Sequence, residues 1–348
     1  MVHRIKAWFK ILKIMMSLTK IREAREFYKG NLVKVLDKEG LFNFLNIPKS
    51  LDEIVQYFNY KDVNLVSTTL EALRKDKILS VTPDSKFFFK NHKLGRYPEK
   101  SRILSDSLLD IMLQYVDYFP ERLRGKFADF TGGINLFNWD DALTDSLYEQ
   151  MRRSAFSYVN ATKYEGTFLE IGTGAGYSTA AIFNYYLKAK KFYPETKMKI
   201  IGIDTDESLL TIAREEFPKM LAKHSNKTES EIDSLKDYYP KFQQASVTEL
   251  PYDDNSFDMI YSSQVLHWTN TPKAIREMLR VTKPNGFVFG AQSVAPRVNH
   301  YANSHVIVVK DAQGFFTREQ FIKWAKEAGA RKVKTSYPLI TVCFKFLK

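Results

Sequence analysis

The stretch Phe168-Leu-Glu-Ile-Gly-Thr-Gly-Ala-Gly-Tyr-Ser178 decides how the rest of the chain is read. Thr167–Ile171 is an apolar run of β type that leads directly into glycines at 172, 174 and 176, and a helical pattern follows from Ser178 through Leu187. Strand, glycine loop and helix in that order describe a cofactor loop of the nucleotide-binding kind. Glycine suits the loop because the turn demands unusual backbone angles and a ligand has to approach the main chain closely.

The spacing narrows the cofactor. A dinucleotide fingerprint reads G-x-G-x-x-G, with the following helix aimed at a pyrophosphate. In this chain the third glycine comes one residue early, and Tyr177 stands at the dinucleotide position. The sequence also lacks the G-x-x-x-x-G-K-[ST] pattern of a phosphate loop. The form present, Glu170-x-Gly172-x-Gly174-x-Gly176, resembles motif I of the class I S-adenosylmethionine (SAM) methyltransferases.

Bulk properties bound the remaining possibilities. The 348 residues suffice for about two domains. The single cysteine, Cys343, excludes an internal disulfide framework, fits a reducing cytosol, and sits in an alternating run as a small buried side chain would. The net charge of +12 is uneven: residues 1–100 hold 20 Lys and Arg against 11 Asp and Glu, which leaves +3 for the remainder. No run of about 18 apolar residues exists to span a membrane. His3–Met16 is too interrupted by lysine for a signal peptide and reads as a basic amphipathic helix, either an arm on a partner subunit, a membrane-surface segment or a frayed end.

Working outward, residues 18–45 show helical periodicity. Ser50-Leu-Asp-Glu53 has the form of a capping box, Asn64 is placed to cap a second helix, and Ile78–Val81 and Lys86–Lys90 flank the turn Thr82–Ser85. Helix, helix and hairpin predict a winged helix. Its second helix carries Glu71 with Asp76 close by, and residues 51–100 hold 9 basic against 7 acidic residues. That balance lacks the concentrated basic footprint of DNA binding and favours dimerisation and a substrate lid. Residues 101–160 read as helices rich in aromatics, a bridge between domains that could also line a pocket for a flat apolar substrate.

Residues 161–348 alternate strand and helix, which predicts a mostly parallel sheet covered on both faces. Met198–Asp204 is an apolar strand ending in an acid, the position at which a carboxylate accepts ribose hydroxyls. Residues 218–240 read as a polar insert of helical look. Lys283-Pro-Asn-Gly286 is placed as a turn before strand Phe287–Gly290, Thr317 caps a further helix, and two β-type runs split by Pro338 close the chain as an antiparallel pair.

Three signatures now agree in order: the glycine motif, strand-final Asp204, and Leu250-Pro-Tyr…Ser-Phe-Asp258 followed by Leu266-His267…Arg280-Val-Thr-Lys-Pro-Asn-Gly286. Together they resemble the class I SAM-dependent methyltransferase fold over 161–348, an α/β, Rossmann-like seven-stranded sheet. With the preceding segments the resemblance extends to small-molecule O-methyltransferases that carry an N-terminal winged-helix dimerisation domain, including plant phenolic and bacterial hydroxyneurosporene-type enzymes. That family implies a division into a dimerisation domain (1–100), a helical linker or lid (101–160) and a catalytic domain (161–348).

The resemblance also implies roles. Gly172, Gly174 and Gly176 pass close to the methionine part of SAM, Glu170 lies near its ammonium, and Asp204 holds the ribose. Many relatives bind adenine through an Asp, where this chain has Ser246 followed by Val247. His267 falls where the family carries its base in an H-D-W-type motif, here His267-Trp-Thr-Asn without the acid. A histidine poised near neutrality suits a phenol; a packing role is the alternative. His300 and His305 follow a strand end and are candidates for the pocket wall. No metal site is suggested, and the Asn/Asp-Pro-Pro-Tyr motif of methyltransferases acting on amino groups of bases or glutamine is absent after Met259–Ser262. The expected function is O-methylation of a small apolar or aromatic acceptor by a cytoplasmic homodimer. C-methylation of a quinone or isoprenoid-like precursor and a SAM-responsive DNA-binding regulator stand as alternatives.

Overall fold

A computed structural model of the chain describes residues 22–90, 94–100, 106–128, 146–192, 198–294, 300–336 and 341–348. Two compact units emerge: Met1–Asp129 with Val298–Ala312, and Phe130–Arg297 with Gln313–Lys348. The basic segment His3–Met16, the aromatics Phe130, Phe137 and Trp139, and Pro338 lie outside the described residues.

The first unit opens with α1 (residues 22–38), which Gly40, at φ 87°, separates from α2 (Leu41–Phe44). The single long pattern over 18–45 therefore becomes two helices. Ser50 and Glu53 form the predicted capping box at the start of α3 (Leu51–Tyr57). Helix α4 (Val63–Lys75) is capped by Asp62 rather than Asn64, because Asp62 reaches the N–H of Leu65 at 3.0 Å. Val66, Leu70 and Leu73 recur along its buried face. Strands β1 (Ser80–Val81) and β2 (Phe87–Phe88) pair antiparallel around the turn at Thr82. Helices α5 (Asp106–Asp117) and α6 (Phe119–Leu123) and the helical turn His300–Asn303 complete the unit.

In the second unit, α7 (Ser146–Val159) precedes β3 (Thr167–Ile171), α8 (Tyr177–Lys188) and β4 (Lys199–Asp204). Helix α9 (Glu207–Ser225) is longer than the polar insert suggests. It runs through Pro218 because Leu210, Ala213, Phe217 and Leu221 keep one apolar face across the break. Helix α10 (Glu229–Asp233) and β5 (Lys241–Gln244) follow, then β6 (Phe257–Ser263), α11 (Thr271–Val281), β7 (Thr282–Ser293), α12 (Arg318–Glu327), β8 (Lys332–Thr335) and β9 (Thr341–Leu347). The expected turn Lys283–Gly286 is instead an irregularity within β7: pairing passes from Phe257↔Thr282 to Met259↔Phe287.

The sheet order is β5-β4-β3-β6-β7-β9-β8, parallel except for β9, which is antiparallel to both neighbours. Alternate residues feed two apolar layers. Phe168, Tyr261 and Phe289 pack with side chains of α7, α8 and α9 on one face; Leu169, Ile260, Val288 and Phe344 pack with those of α11 and α12 on the other. Each fully buried Phe or Leu stabilises the unit by roughly 1.5–3 kcal/mol over exposure. The chain winds outward from β3 in one direction and from β6 in the other. In an open α/β sheet, ligands bind at that reversal, beyond the carboxyl ends of the strands.

Candidate active site

The loop after β3 and the segment after β6 flank this crevice. Gly172 and Thr173 donate their backbone N–H groups to the Ile203 carbonyl at 2.8 and 2.9 Å, stitching the loop to the end of β4. Gly172 and Gly176 sit at φ 70° and 92°, a left-handed conformation that other residues enter only at a cost. A Cβ on Gly172 would stand 2.5 Å from Val265 Cγ2, and one on Gly176 3.0 Å from Ala213 Cβ. Neither position leaves room for a side chain: the loop backbone packs directly against Val265 and Ala213. Gly174, at φ 54°, completes the motif.

Asp204 ends β4 and braces the cradle. Its Oδ2 accepts from the Gly174 N–H at 2.9 Å and its Oδ1 from the Asp206 N–H at 3.1 Å. Burial raises its pKa, and these backbone amides oppose the rise. A carboxylate has about four lone-pair sites, so with the amides of Gly174, Thr205 and Asp206 on it acceptor capacity remains for a hydroxyl. The Asp204 carbonyl accepts from Ala245 N–H at 2.9 Å, which draws the segment after β5 to the same edge. There Ser246 Oγ contacts Thr248 Oγ1 at 2.9 Å and receives the Thr248 N–H at 3.3 Å, so it closes its own turn. Val247 is buried in the apolar layer.

Glu170 is 1% exposed and accepts a hydrogen bond from Thr179 Oγ1 at 2.6 Å. Thr179 is also hydrogen-bonded to Thr173. Desolvation pushes the Glu170 carboxyl up to about 7, against the pull of Ser178, Thr179 and Arg152.

His267 lies in the turn Leu266–Trp268, two residues beyond Val265, and is buried against Phe315 with ring centroids 4.5 Å apart. Gln292 Nε2 stands 2.9 Å from its Nδ1 and 3.2 Å from the Ser293 carbonyl. The carbonyl accepts only, which orients the Gln292 amide and makes Nδ1 an acceptor as well. The imidazole proton then resides on Nε2. Desolvation moves the ring's pKa down to about 3, with the Gln292 contact acting weakly in the other direction.

The structure thus gathers the three glycines, Asp204, Ser246, Val247 and the segment leading to His267 at one sheet edge, with Glu170 beneath the loop. His300 and His305 belong to the first unit, where His305 packs on Tyr28 and its Nδ1 lies 2.9 Å from the Tyr301 carbonyl. Sequence reasoning missed Thr173, Ser178, Thr179, Arg152 and Gln292. The hydroxyls follow the glycine loop and could have been suspected; Arg152 and Gln292 carry no local signature.

Residues 169–290 match a family model described as a methyltransferase domain. The chain therefore carries a methyltransferase domain over these residues. Among curated relatives, the malonyl-[acyl-carrier protein] O-methyltransferase of Halorhodospira halophila is 28% identical over 35% of this chain and 33% of its own length. The ubiquinone/menaquinone biosynthesis C-methyltransferase of Bdellovibrio bacteriovorus is 34% identical over 26% and 48%, respectively. The chain thus spans between a third and a half of the length of these relatives. Among solved structures, the CurJ carbon methyltransferase superposes with a TM-score of 0.68 at 16% identity, covering 97% of this chain and 93% of that one; this likeness concerns the fold. The methyltransferase domain takes SAM as its methyl donor, and a glycine loop tied to a strand-final carboxylate fits that group. Among the described residues no His, Cys, Asp and Glu cluster could hold a metal ion, and no helix is long and apolar enough to cross a membrane.

Proposed function

We propose that this chain methylates a small organic acceptor that ionises without a protein base, an enolisable carbon such as a quinol or β-dicarbonyl carbon. The observation that carries this reading is the hydrogen bond from Gln292 to His267 Nδ1. A histidine protonated on Nε2, with its pKa held down to about 3, is a poor base for a hydroxyl whose pKa is near 10. It is instead a neutral donor suited to an enolate oxygen. The Bdellovibrio relative, named as a C-methyltransferase, supports the reading. O-methylation, for which the Halorhodospira relative speaks, requires a hydroxyl acidic enough to ionise alone.

In this reading Gly172, Gly174 and Gly176 pass the methionine part of the donor, Glu170 serves its ammonium, Asp204 takes a ribose hydroxyl, and Ser246 and Val247 flank adenine. Bound there, SAM would supply an electrophilic methyl group to the acceptor anion, its sulfonium becoming a neutral thioether as the methyl leaves. The protein's part is alignment of the two reactants and donation of the Nε2 proton in a hydrogen bond to the oxygen that carries the charge of the ionised acceptor. The N-terminal residues 1–100, with their helix, helix and hairpin, pair two copies, and 101–160 help enclose the acceptor ahead of the catalytic residues 161–348. Exposed Ile47 and Tyr57 suit such pairing. Arg74 bonded to Glu71 and Arg25 bonded to Asp76 leave these cations engaged by acids rather than offered to phosphate. A single buried cysteine accords with the cytoplasm.

The test is methyl transfer from radiolabelled SAM to matched pairs of acceptors, enolisable carbon compounds against simple phenols of equal size. Label on carbon supports the proposal; turnover of simple phenols alone overturns it.

A further inference from the structure

Arg152 is the charged side chain of the second unit that burial makes hardest to explain. It projects from α7, which packs against β7 and β9, and is 3% exposed. Its neighbour on the helix, Phe156, packs on Tyr185 and Tyr261. A guanidinium in such a layer is costly unless its partners are well placed, and an apolar side chain would often serve stability as well. One partner is Glu149. That carboxylate is also held by Arg153 Nε at 2.5 Å and Tyr185 Oη at 2.9 Å, so Arg152 is not needed merely to satisfy it.

The second partner points toward the cofactor loop. Arg152 Nε donates to Ser178 Oγ at 3.1 Å, in the first turn of α8 directly after Gly176. A hydroxyl has one proton to give. With Arg152 donating to it, Ser178 is left to direct that proton to another acceptor, and Glu170 lies within its hydrogen-bonding reach. Thr179, the next residue, donates to Glu170 from the same turn. The groups facing Glu170 are therefore Arg152 from α7, Ser178 and Thr179 from α8, Asp204 from β4 and Tyr261 from β6. Tyr261 is also its register partner. Arg152 is the cation among them, set against the nearby Asp204.

We infer that Arg152 is a positioning residue for the donor: through Ser178 it fixes the first turn of α8 and sets a positive charge behind Glu170, so that Glu170 meets the α-amino group of SAM as a carboxylate. The inference rests on the proposed SAM site and adds a residue to it that touches the cofactor only through others. Without Arg152, burial and Asp204 act on Glu170 with less opposition, its protonation moves to higher pH, and the ligand's ammonium loses its counter-charge near neutrality.

Calorimetry of the full chain with SAM and with 5′-methylthioadenosine, which lacks the amino-acid end, separates the possibilities from about pH 5.5 to about pH 8. For Arg152→Gln, SAM affinity at neutrality falls about tenfold and the pH above which SAM binds tightly rises by about one unit, while methylthioadenosine affinity is unchanged. Arg152→Lys, which keeps the charge, restores the wild-type pH dependence. Ser178→Ala disturbs packing less and produces a smaller shift in the same direction, so it decides the matter if Arg152→Gln does not fold. Equal weakening of both ligands at every pH, or wild-type SAM binding by Arg152→Gln and Ser178→Ala, overturns the inference. A wild-type chain that binds methylthioadenosine and SAM equally overturns it as well; one that binds neither ligand overturns the SAM site itself.

Discussion

Gln292 Nε2 stands 2.9 Å from His267 Nδ1, across the space between the middle of the sheet and the turn after β6. That contact assigns the imidazole proton to Nε2 and makes His267 a hydrogen-bond donor. His267→Ala should lower the turnover number by about a hundredfold, the usual loss for one donor to an oxyanion, because less of the acceptor is ionised, with SAM affinity nearly unchanged. Gln292→Leu should reproduce part of the loss. Near-normal turnover of His267→Ala would reduce the residue to packing.

Gly172 and Val265 occupy one another's space: a Cβ on the glycine would come within 2.5 Å of Val265 Cγ2, at a φ of 70°. Gly172→Ala should therefore abolish measurable SAM binding in a chain that still folds, and adding Val265→Ala should restore part of it. Unchanged SAM affinity of Gly172→Ala by calorimetry would refute the loop assignment.

Asp204 combines a bracing role with the proposed ribose contact. Asp204→Asn retains an acceptor for the Gly174 N–H yet loses the charge. A hydrogen bond to a charged group contributes about 1.5–3 kcal/mol, so SAM affinity should fall roughly 10- to 100-fold while the melting temperature changes little. A parallel collapse of both would mean that Asp204 is chiefly structural.

Two buried histidines, His267 and His305, and the half-buried His300 make stability pH-dependent. Desolvation takes His267 down to about 3 and His300 and His305 down to about 4. Each is neutral when folded and protonates near pH 6.5 when unfolded, so the unfolded chain binds more protons between these values. The stabilisation is complete above about pH 6.5 and is lost as the pH falls toward the folded values. The urea midpoint should drop steadily from pH 7 to about pH 4.5, and His305→Phe should flatten the slope. A midpoint independent of pH would contradict this burial.

Phe217 is 1% exposed in α9, with Phe183, Tyr239 and Phe242 around its ring. Phe217→Ala should cost about 3–5 kcal/mol, seen as a lower urea midpoint at unchanged slope. A loss below about 1 kcal/mol would mean that the layer collapses around the gap.

What could be read in advance was local. The run Thr167–Ile171, the glycines and the helix after them specify strand, cradle and helix through alternation, backbone freedom and amphipathic spacing, each acting within a few residues. Strand-final Asp204 and the capping box at Ser50 were legible for the same reason. Misreadings arose where a local preference met a stronger neighbour: Asp62 out-competed Asn64 for the amide of Leu65, and the apolar face of α9 carried the helix past Pro218.

The sequence by itself determined the order of strands and helices and which side chains could meet at the carboxyl edge of the sheet, because period and turn chemistry are properties of adjacent residues. Only the tertiary structure decided their protonation and orientation. The tautomer of His267 depends on Gln292, 25 residues away, and the charge behind Glu170 on Arg152, 18 residues before it in another element. Desolvation and buried hydrogen bonds act through space, between groups that packing alone brings together.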